Sequence, residues 1–234
     1  NERFKKQRDE LKKMMADLTN PLILVEGKTD KIHLSKAKEF LKIDNLDVEF
    51  RVCEGDINLS QSLKILSKIE LKFKVIGVFD RDDEKIVKKI ADESGSNKYA
   101  NYGSNVYAFC IPLINKELYN TESISIEHYY PKKILLKRDE KGRRLFLGKE
   151  FYDSGNSMNG KYQTKISEIQ NKIKINGIID DKVFKTCDLK HEESVALSKS
   201  DFAELVENDK SFIEDFDFST FKQIFDIINS IIKN

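Results

Sequence analysis

The chain of 234 residues contains no tryptophan, three prolines and only three cysteines. Cys53, Cys110 and Cys187 lie far apart and form no C-x-x-C pair, so a structural zinc site built on paired cysteines is not expected. This sparse cysteine content is typical of a reduced intracellular compartment. We therefore expect a cytoplasmic protein.

Long apolar runs are also missing. No stretch approaches the roughly 20 apolar residues that a membrane-spanning helix needs, so no membrane partner is expected. The first residues, NERFKKQRDELKK, are too charged for a signal peptide. A start at Asn1 instead of methionine is consistent with excision from a longer protein or with processing.

Charge of one sign is not in excess. The 41 Lys and Arg residues nearly balance the 40 Asp and Glu residues, which leaves a formal net charge of +1. Net charge therefore provides no argument for a polyanionic partner, although basic residues can still cluster locally. The 39% hydrophobic and 35% charged content indicates a globular chain, long enough for a large domain or a core with an appended subdomain.

The first half of the chain alternates between short apolar runs and amphipathic stretches. Strands are predicted at 22–26, 47–53, 74–80 and 106–113. Helices are predicted at 30–41, 58–69 and about 83–92, and residues 93–105 are interpreted as a polar loop. Alternating strands and helices with short connections favour an α/β fold whose central parallel sheet is flanked by helices.

The pattern changes after about residue 120. We expect a short helix before Pro131, then a hairpin and loop over 138–160, an amphipathic helix over 161–175 and a final helix whose apolar face, 218–232, packs against the sheet. The predicted organisation is an N-terminal helix in 1–20, an α/β core in 21–118 and a mixed α+β extension in 119–234.

The segment LILVEGKTD, residues 22–30, superficially resembles a nucleotide-binding loop. A P-loop requires G-x-x-x-x-G-K-[ST], but Leu22 stands where its first glycine would be. Glu26 would also repel a triphosphate. The chain alone is therefore not expected to hydrolyse ATP, and a strand that ends in a carboxylate indicates a metal site instead.

Carboxylates follow two of the predicted strands. Glu26 and Asp30 follow the first, and Asp80 and Asp82 follow the third. Ligands of open α/β sheets collect at the carboxyl ends of strands, and residues two apart in an extended segment project to the same side. A hard cation such as Mg²⁺ prefers oxygen ligands of this kind. Taken singly, Glu26 and Asp30 could instead complement a helix dipole.

Together, LILVEGKTD and VIGVFDRDDE resemble the Toprim domain of topoisomerases, DnaG-type primases and OLD-family (overcoming lysogenization defect) nucleases. Its signature is a glutamate and glycine after the first strand, matched by Glu26 and Gly27. A D-x-D after the third strand follows, matched by Asp80-Arg81-Asp82. The resemblance covers about residues 20–115 and implies a Rossmann-like fold.

Further positions resemble the OLD branch. Asp30 matches a second acid four residues after the glutamate, and Ser125 with Glu127 matches a downstream serine and glutamate pair. A lysine nearer the C-terminus completes the site of that branch, for which Lys199 is the first candidate and Lys190 the second.

The resemblance implies two Mg²⁺ or Mn²⁺ ions on either side of a scissile phosphate. It implies catalytic roles for Glu26, Asp80, Asp82 and Lys199, metal binding by Glu26, Asp30, Asp80, Asp82, Ser125 and Glu127, and substrate contacts by Gly27, Lys28 and Arg81. Lys199 would neutralise charge that develops on the phosphate.

The function that the resemblance implies is cleavage of phosphodiester bonds in DNA or RNA. A primase would need a zinc ribbon, and a topoisomerase would need a second large domain with a nucleophilic tyrosine. OLD-family proteins usually couple this domain to an ATPase, on the same chain or a partner, and often act in anti-phage defence.

Two alternatives remain. A HAD-type phosphatase uses D-x-D-x-[TV], but Glu84 occupies the last position of that motif and the acids follow the third strand. A non-catalytic module that binds nucleic acid or a partner is the other alternative, which a metal-binding titration would separate from an enzyme.

Overall fold

The computed structural model describes residues 2–16, 18–114, 123–152, 161–164, 177–180, 182–186 and 193–234. The chain divides into two compact units. The first comprises Asn1–Pro112 and Ser219–Asn234, and the second comprises Leu113–Phe218. The C-terminal helix thus belongs to the first unit, whereas the sequence-based division placed it in the extension.

The first unit is an α/β domain. Its elements in chain order are α1 (Glu2–Ala16), β1 (Leu22–Val25), α2 (Lys28–Phe40), β2 (Glu49–Val52), α3 (Asp56–Leu66), β3 (Val75–Phe79), α4 (Glu84–Ser94), β4 (Ala100–Gly103) and β5 (Val106–Cys110). A short 3₁₀ turn, Ser219–Phe221, precedes its last helix, Lys222–Lys233. The predicted order of strands and helices is confirmed in this unit, except that β4 was not predicted.

The central sheet has the strand order β2-β1-β3-β5-β4. β1 pairs in parallel with both β2 and β3, and β3 pairs in parallel with β5. Every residue of β1 and β3 is buried, as expected for central strands covered on both faces. The predicted α/β fold with a mostly parallel sheet is therefore confirmed.

One strand, β4, was not predicted from the sequence. β4 lies within the segment interpreted as a loop and pairs antiparallel with β5 at the sheet edge. Its sequence, ANYG, has only one fully buried residue, and its register shifts between Asn101 and Gly103. An edge strand with a bulge shows little of the apolar alternation by which strands are recognised.

Gly77 in β3 allows α3 to approach the sheet closely. A Cβ atom at this position would lie 2.5 Å from Cδ1 of Leu63, a buried residue of α3. Any larger residue would have to displace the Leu63 side chain within the core.

The C-terminal helix buries Ile224, Phe225 and Ile228 among others, which confirms a broad apolar face. Nζ of Lys74, just before β3, donates hydrogen bonds to the carbonyl oxygens of Ile231 and Ile232 at 2.5 and 3.2 Å. A cation at a helix C-terminus is favourable because the last carbonyls lack helical partners.

The second unit is mixed. Its described elements are a 3₁₀ helix (Ile126–Tyr129), α5 (Lys132–Leu135), β6 (Phe146–Leu147), α6 (Lys149–Tyr152), β7 (Tyr162–Thr164), β8 (Ile178–Ile179), β9 (Val183–Lys185) and α7 (Lys199–Asn208). We call the last helix of the first unit α8. β6 pairs with β8 and β7 with β9, both antiparallel. The short helix predicted before Pro131 is present.

One expectation in this unit was wrong at its start. Residues 161–175 were predicted as one amphipathic helix, but Tyr162–Thr164 is a strand paired with β9. The alternating sequence K-Y-Q-T forms a strand because it pairs with another strand in the tertiary structure. The 3.6-residue period used to predict a helix gives no information about such a partner. The remainder, 165–175, lies outside the described residues. Within the described residues, no helix is both long and apolar enough to cross a membrane.

Candidate metal and phosphodiester site

Glu26 and Asp80 follow the carboxyl ends of neighbouring strands. β1 and β3 are paired in parallel from Leu22 with Val75 to Val25 with Val78, so the residues that follow both strands lie at the same, carboxyl-terminal end of the sheet. The chain runs from β1 outward to β2 and then crosses back to β3 on the other side of β1. Such a reversal of strand order opens a crevice at the carboxyl ends, where open α/β sheets bind ligands.

The Glu26 carboxylate is held by the backbone of the second strand end. The backbone N–H of Asp80 donates a hydrogen bond of 2.9 Å to Oε1 of Glu26. The carbonyl oxygen of Glu26 accepts another bond, of 2.8 Å, from the N–H of Gly55 after β2. Glu26, which follows β1, is therefore bound to the loops that follow β2 and β3.

Asp30 lies in the first turn of α2 and its Oδ2 accepts a hydrogen bond of 2.7 Å from the N–H of Gly27. This is a capping interaction at the helix start, where the sequence analysis had allowed an acid that complements the helix dipole as the alternative to a metal role. The bond occupies one carboxylate oxygen and fixes the side chain beside the start of the helix. A cap and a ligand are compatible because a carboxylate has two oxygens.

The acidic residues that follow β3 have two different roles. Oδ1 of Asp83 accepts hydrogen bonds from the N–H groups of Lys85 and Ile86 and so caps α4. Asp80 is half-buried and Asp82 is exposed. Only Asp80 and Asp82 of this run have positions suited to a ligand at the strand ends.

Electrostatic contacts show which acids surround Glu26. Burial is the largest cause that raises the pKa of Glu26 from 4.5 to about 7, and the nearby carboxylates of Asp30, Asp82 and Asp56 raise it further. The hydrogen bond from Asp80 acts in the opposite direction. Four carboxylates thus share one electrostatic environment, and their mutual repulsion would be relieved by a cation.

Asp56 was missed by the sequence analysis. It is the first residue of α3 and follows the loop after β2, where Glu54 and Gly55 have positive φ angles of 58° and 112°. A signal was present, because the Glu-Gly pair after β1 is repeated after β2 as Glu54-Gly55. Two strand ends with the same pair suggest that both loops serve one crevice.

The donor set fits a hard divalent cation, since it consists of carboxylate oxygens. Within the part of the chain that the structure describes, no three His, Cys, Asp or Glu side chains converge tightly enough to enclose an ion. The acids lie around the carboxyl ends of β1, β2 and β3.

Among the residues assigned to substrate contacts, Lys28 is exposed at the first position of α2. Gly27 has φ of −129°, an ordinary extended value, so its conformation does not demand glycine. Nε of Arg81 is buried without a hydrogen-bond partner among the described residues.

The second unit brings together Ser125, Glu127 and Lys199. Oγ of Ser125 donates a hydrogen bond of 2.6 Å to Oε2 of Glu127, and Nζ of Lys199 lies 3.3 Å from the same oxygen. Glu127 is only 1% exposed, so its carboxylate does not point to solvent. A buried carboxylate needs such partners because an unpaired one would be strongly destabilising.

His128 supports this cluster. Its Nδ1 accepts a hydrogen bond of 3.0 Å from the N–H of Ser125, and Oγ of Ser125 lies 3.1 Å from the same nitrogen. Lys199 begins α7, as predicted, and its N–H donates to Oδ1 of Asp180 at 2.7 Å. Lys190, the second candidate for the catalytic lysine, lies outside the described residues.

The two groups of residues belong to different units of the chain. The acids around Glu26 are in the first unit, and the cluster around Glu127 is in the second. Asp30 and Glu127 belong to different units, so the distance predicted between them for a shared ion, roughly 4 to 6 Å, stays a prediction.

Residues 19–82 match the family model described as overcoming lysogenization defect protein-like, TOPRIM domain. No curated protein and no solved structure gave a significant match to the chain. The matched segment runs from the residues before β1 to Asp82 and therefore includes Glu26, Asp30, Asp56 and Asp80.

A domain of this kind suggests a metal-dependent, nuclease-like function that involves nucleic acid. The family match and the mostly parallel sheet agree with each other and with the two motifs after β1 and β3. In residues 19–82, the chain carries a TOPRIM domain of the OLD-like type.

Proposed function

We propose that this protein is a metal-dependent nuclease that hydrolyses phosphodiester bonds in DNA or RNA. The observation that carries the proposal is the position of Glu26, whose carboxylate is hydrogen-bonded to the backbone of Asp80 at the switch point of the sheet. Three further carboxylates act on it electrostatically. The family match over the same residues supports this choice of chemistry.

Mg²⁺ or Mn²⁺ would supply Lewis-acid stabilisation of charge on the phosphate. Glu26, Asp80 and Asp82 would hold one ion, and Asp30, Glu127 and Ser125 would contribute to a second, with Asp82 shared. Glu26 is pre-oriented for this role because Asp80 N–H and Gly55 N–H fix both its side chain and its carbonyl.

The remaining residues would act on the substrate. Lys199 would neutralise negative charge on the phosphate oxygens once Glu127 has turned towards an ion. Lys28 and Arg81 would bind the backbone phosphates of the strand, and Gly27 would allow close approach of the substrate to the start of α2. By analogy with OLD-like proteins, an ATPase partner or domain would control the activity, in defence against phage.

The test is cleavage of fluorescent single- and double-stranded DNA and RNA with Mg²⁺, with Mn²⁺ and with EDTA. Glu26→Gln and Asp80→Asn should abolish cleavage and weaken metal binding in calorimetry. Asp92→Asn is the matched control because Asp92 is exposed on α4, away from the strand ends. Equal cleavage by the wild type and both site variants would contradict the proposal.

A separate measurement decides the contribution of the second unit. Glu127→Gln should lower the metal stoichiometry from two to one while leaving the ion at Glu26 bound. Binding of nucleic acid with no cleavage and no metal uptake by the wild type would instead favour the non-catalytic module.

A further inference from the structure

A cavity of about 790 Å³ lies in the first unit, apart from the carboxylates described above. Its walls come from α4, from the loop after it, from the end of β5 and from α8. Its volume falls within the roughly 300 to 1,000 Å³ typical of small-molecule sites. None of the acids assigned to metal binding lines it.

The cavity nevertheless borders the proposed metal site. Arg81 lines it, and this residue lies between Asp80 and Asp82 in the sequence. Arg81 lies at a bend after β3 and lines the cavity, whereas Asp80 and Asp82 do not. Cys110 also lines the cavity and lies within electrostatic range of both Glu26 and Asp80.

Arg81 provides a cation for an anionic group. Its Nε atom is buried and has no hydrogen-bond partner among the described residues. A buried N–H donor without a partner is costly, and a guanidinium matches phosphate oxygens in a bidentate geometry. Arg81 lines the cavity, so its positive charge is available to a phosphate bound there.

The other lining residues suit a nucleoside. Tyr99 is half-exposed, and its other contacts are an edge-on packing against Tyr107 at 5.8 Å and a hydrogen bond from Asn234 to its hydroxyl. Such a ring can stack on a base. Gln223 and Asp226 on α8 add an amide and a carboxylate, which can pair with the polar edge of a base.

The charge of the lining is consistent with an anion. Arg81 and Lys98 contribute two positive charges against one negative charge from Asp226, which leaves +1. The negative charge lies on the wall formed by α8, whereas Arg81 comes from the loop after β3. The lining therefore offers a cation to a phosphate and a carboxylate to the polar edge of a base.

We propose that this cavity binds one nucleotide of the substrate strand, with its phosphate at Arg81 and its base against Tyr99. The inference rests on the proposed nuclease function, because it places this nucleotide next to the carboxylates. The pocket would fix the position of the strand and select the nucleotide beside the cleaved bond.

Binding is measured in EDTA, so that no cleavage occurs, with the whole chain. The probes are nucleoside monophosphates, nucleosides and inorganic phosphate in calorimetry, and fluorescent DNA and RNA oligonucleotides in anisotropy. Ser230→Leu fills the cavity from α8, where Ser230 is exposed. Ser35→Leu is the matched control, an identical change at an exposed position of α2 that does not line the cavity.

We expect at least one monophosphate to bind more tightly than its nucleoside and than phosphate. Ser230→Leu should weaken this binding and that of the oligonucleotide by about tenfold or more, while Ser35→Leu leaves both unchanged. Tyr99→Leu, which removes stacking, should weaken the monophosphate about tenfold without affecting inorganic phosphate.

Any one of three results would contradict the proposed nucleotide pocket: no binding of any monophosphate, phosphate bound as tightly as the nucleotides, or oligonucleotide affinity unaffected by Ser230→Leu. Cleavage with Mg²⁺ is measured in a separate assay. A wild type that binds nucleotides as expected but cleaves no substrate would contradict the proposed function alone. Normal cleavage and normal binding by Ser230→Leu would contradict the pocket alone.

Discussion

Replacing Glu26 with glutamine should stabilise the metal-free protein at neutral and alkaline pH. In the folded state the pKa of Glu26 is about 7, against an ordinary value of 4.5, because burial and neighbouring carboxylates disfavour its charge. The folded protein therefore binds this proton more tightly than the unfolded chain does. Its contribution to stability is complete below about pH 4.5 and is lost as the pH rises to about 7.

The size of the effect follows from these two values. The two pKa values differ by about 2.5, and each pKa unit corresponds to about 1.4 kcal/mol, so the full loss of stability is about 3.5 kcal/mol. By the linkage relation, about 2.5 kcal/mol of this loss occurs between pH 5 and pH 8. Glutamine does not titrate, and its side-chain oxygen can still accept the hydrogen bond from Asp80.

The assay is urea unfolding followed by circular dichroism in EDTA at pH 5, 6, 7 and 8. The free energy of unfolding of the wild type should fall relative to that of Glu26→Gln by about 2.5 kcal/mol across this range. Glu70→Gln is the matched control, because Glu70 is exposed and outside the strand ends. Parallel profiles for the wild type and Glu26→Gln would refute the reasoning.

Three further predictions concern the two units. Saturating Mg²⁺ should raise the melting temperature of the wild type but not that of Asp80→Asn, and equal shifts in thermal denaturation would contradict a site there. Gly77→Ala should lower the free energy of unfolding by about 1–3 kcal/mol, because its Cβ would meet Leu63; the double variant with Leu63→Ala should show non-additive losses, and additivity would contradict the clash. Lys199→Met should lower the free energy of unfolding by about 2 kcal/mol at pH 8, less than the 3–5 kcal/mol for fully buried pairs because Lys199 is 24% exposed. Adding Glu127→Gln should recover most of this loss, and no recovery would mean that the two residues are not coupled.

The carboxylates illustrate how far local sequence reasoning extends. Glu26 and Asp80 follow fully buried apolar runs, and such runs in an α/β pattern end at a common edge of the sheet. The sequence therefore predicts the acids that the structure places at the switch point. Asp56 was missed because β2 is a partly exposed edge strand and lacks the continuous apolar run that marks a buried strand.

The hydrogen-bond partners could not be read from the chain. Glu26 lies 54 residues from Asp80, and Glu127 lies 72 residues from Lys199, so neither contact follows from a helical or strand period. Burial of Glu127 to 1% depends on the folding of the second unit around it. The capping role of Asp30 is local, and only a favourable interaction with the helix dipole had been considered for it from the sequence.

The sequence by itself determined the α/β order of the first unit, the strand ends that carry acids and the resemblance to a TOPRIM domain. Hydrophobic periodicity and turn residues act over a few positions, and these features depend on such short distances. The tertiary structure decided which strands are neighbours, that the C-terminal helix joins the first unit, and which lysine meets Glu127. Those outcomes depend on packing between residues far apart in the chain, where a local pattern carries no information about the partner.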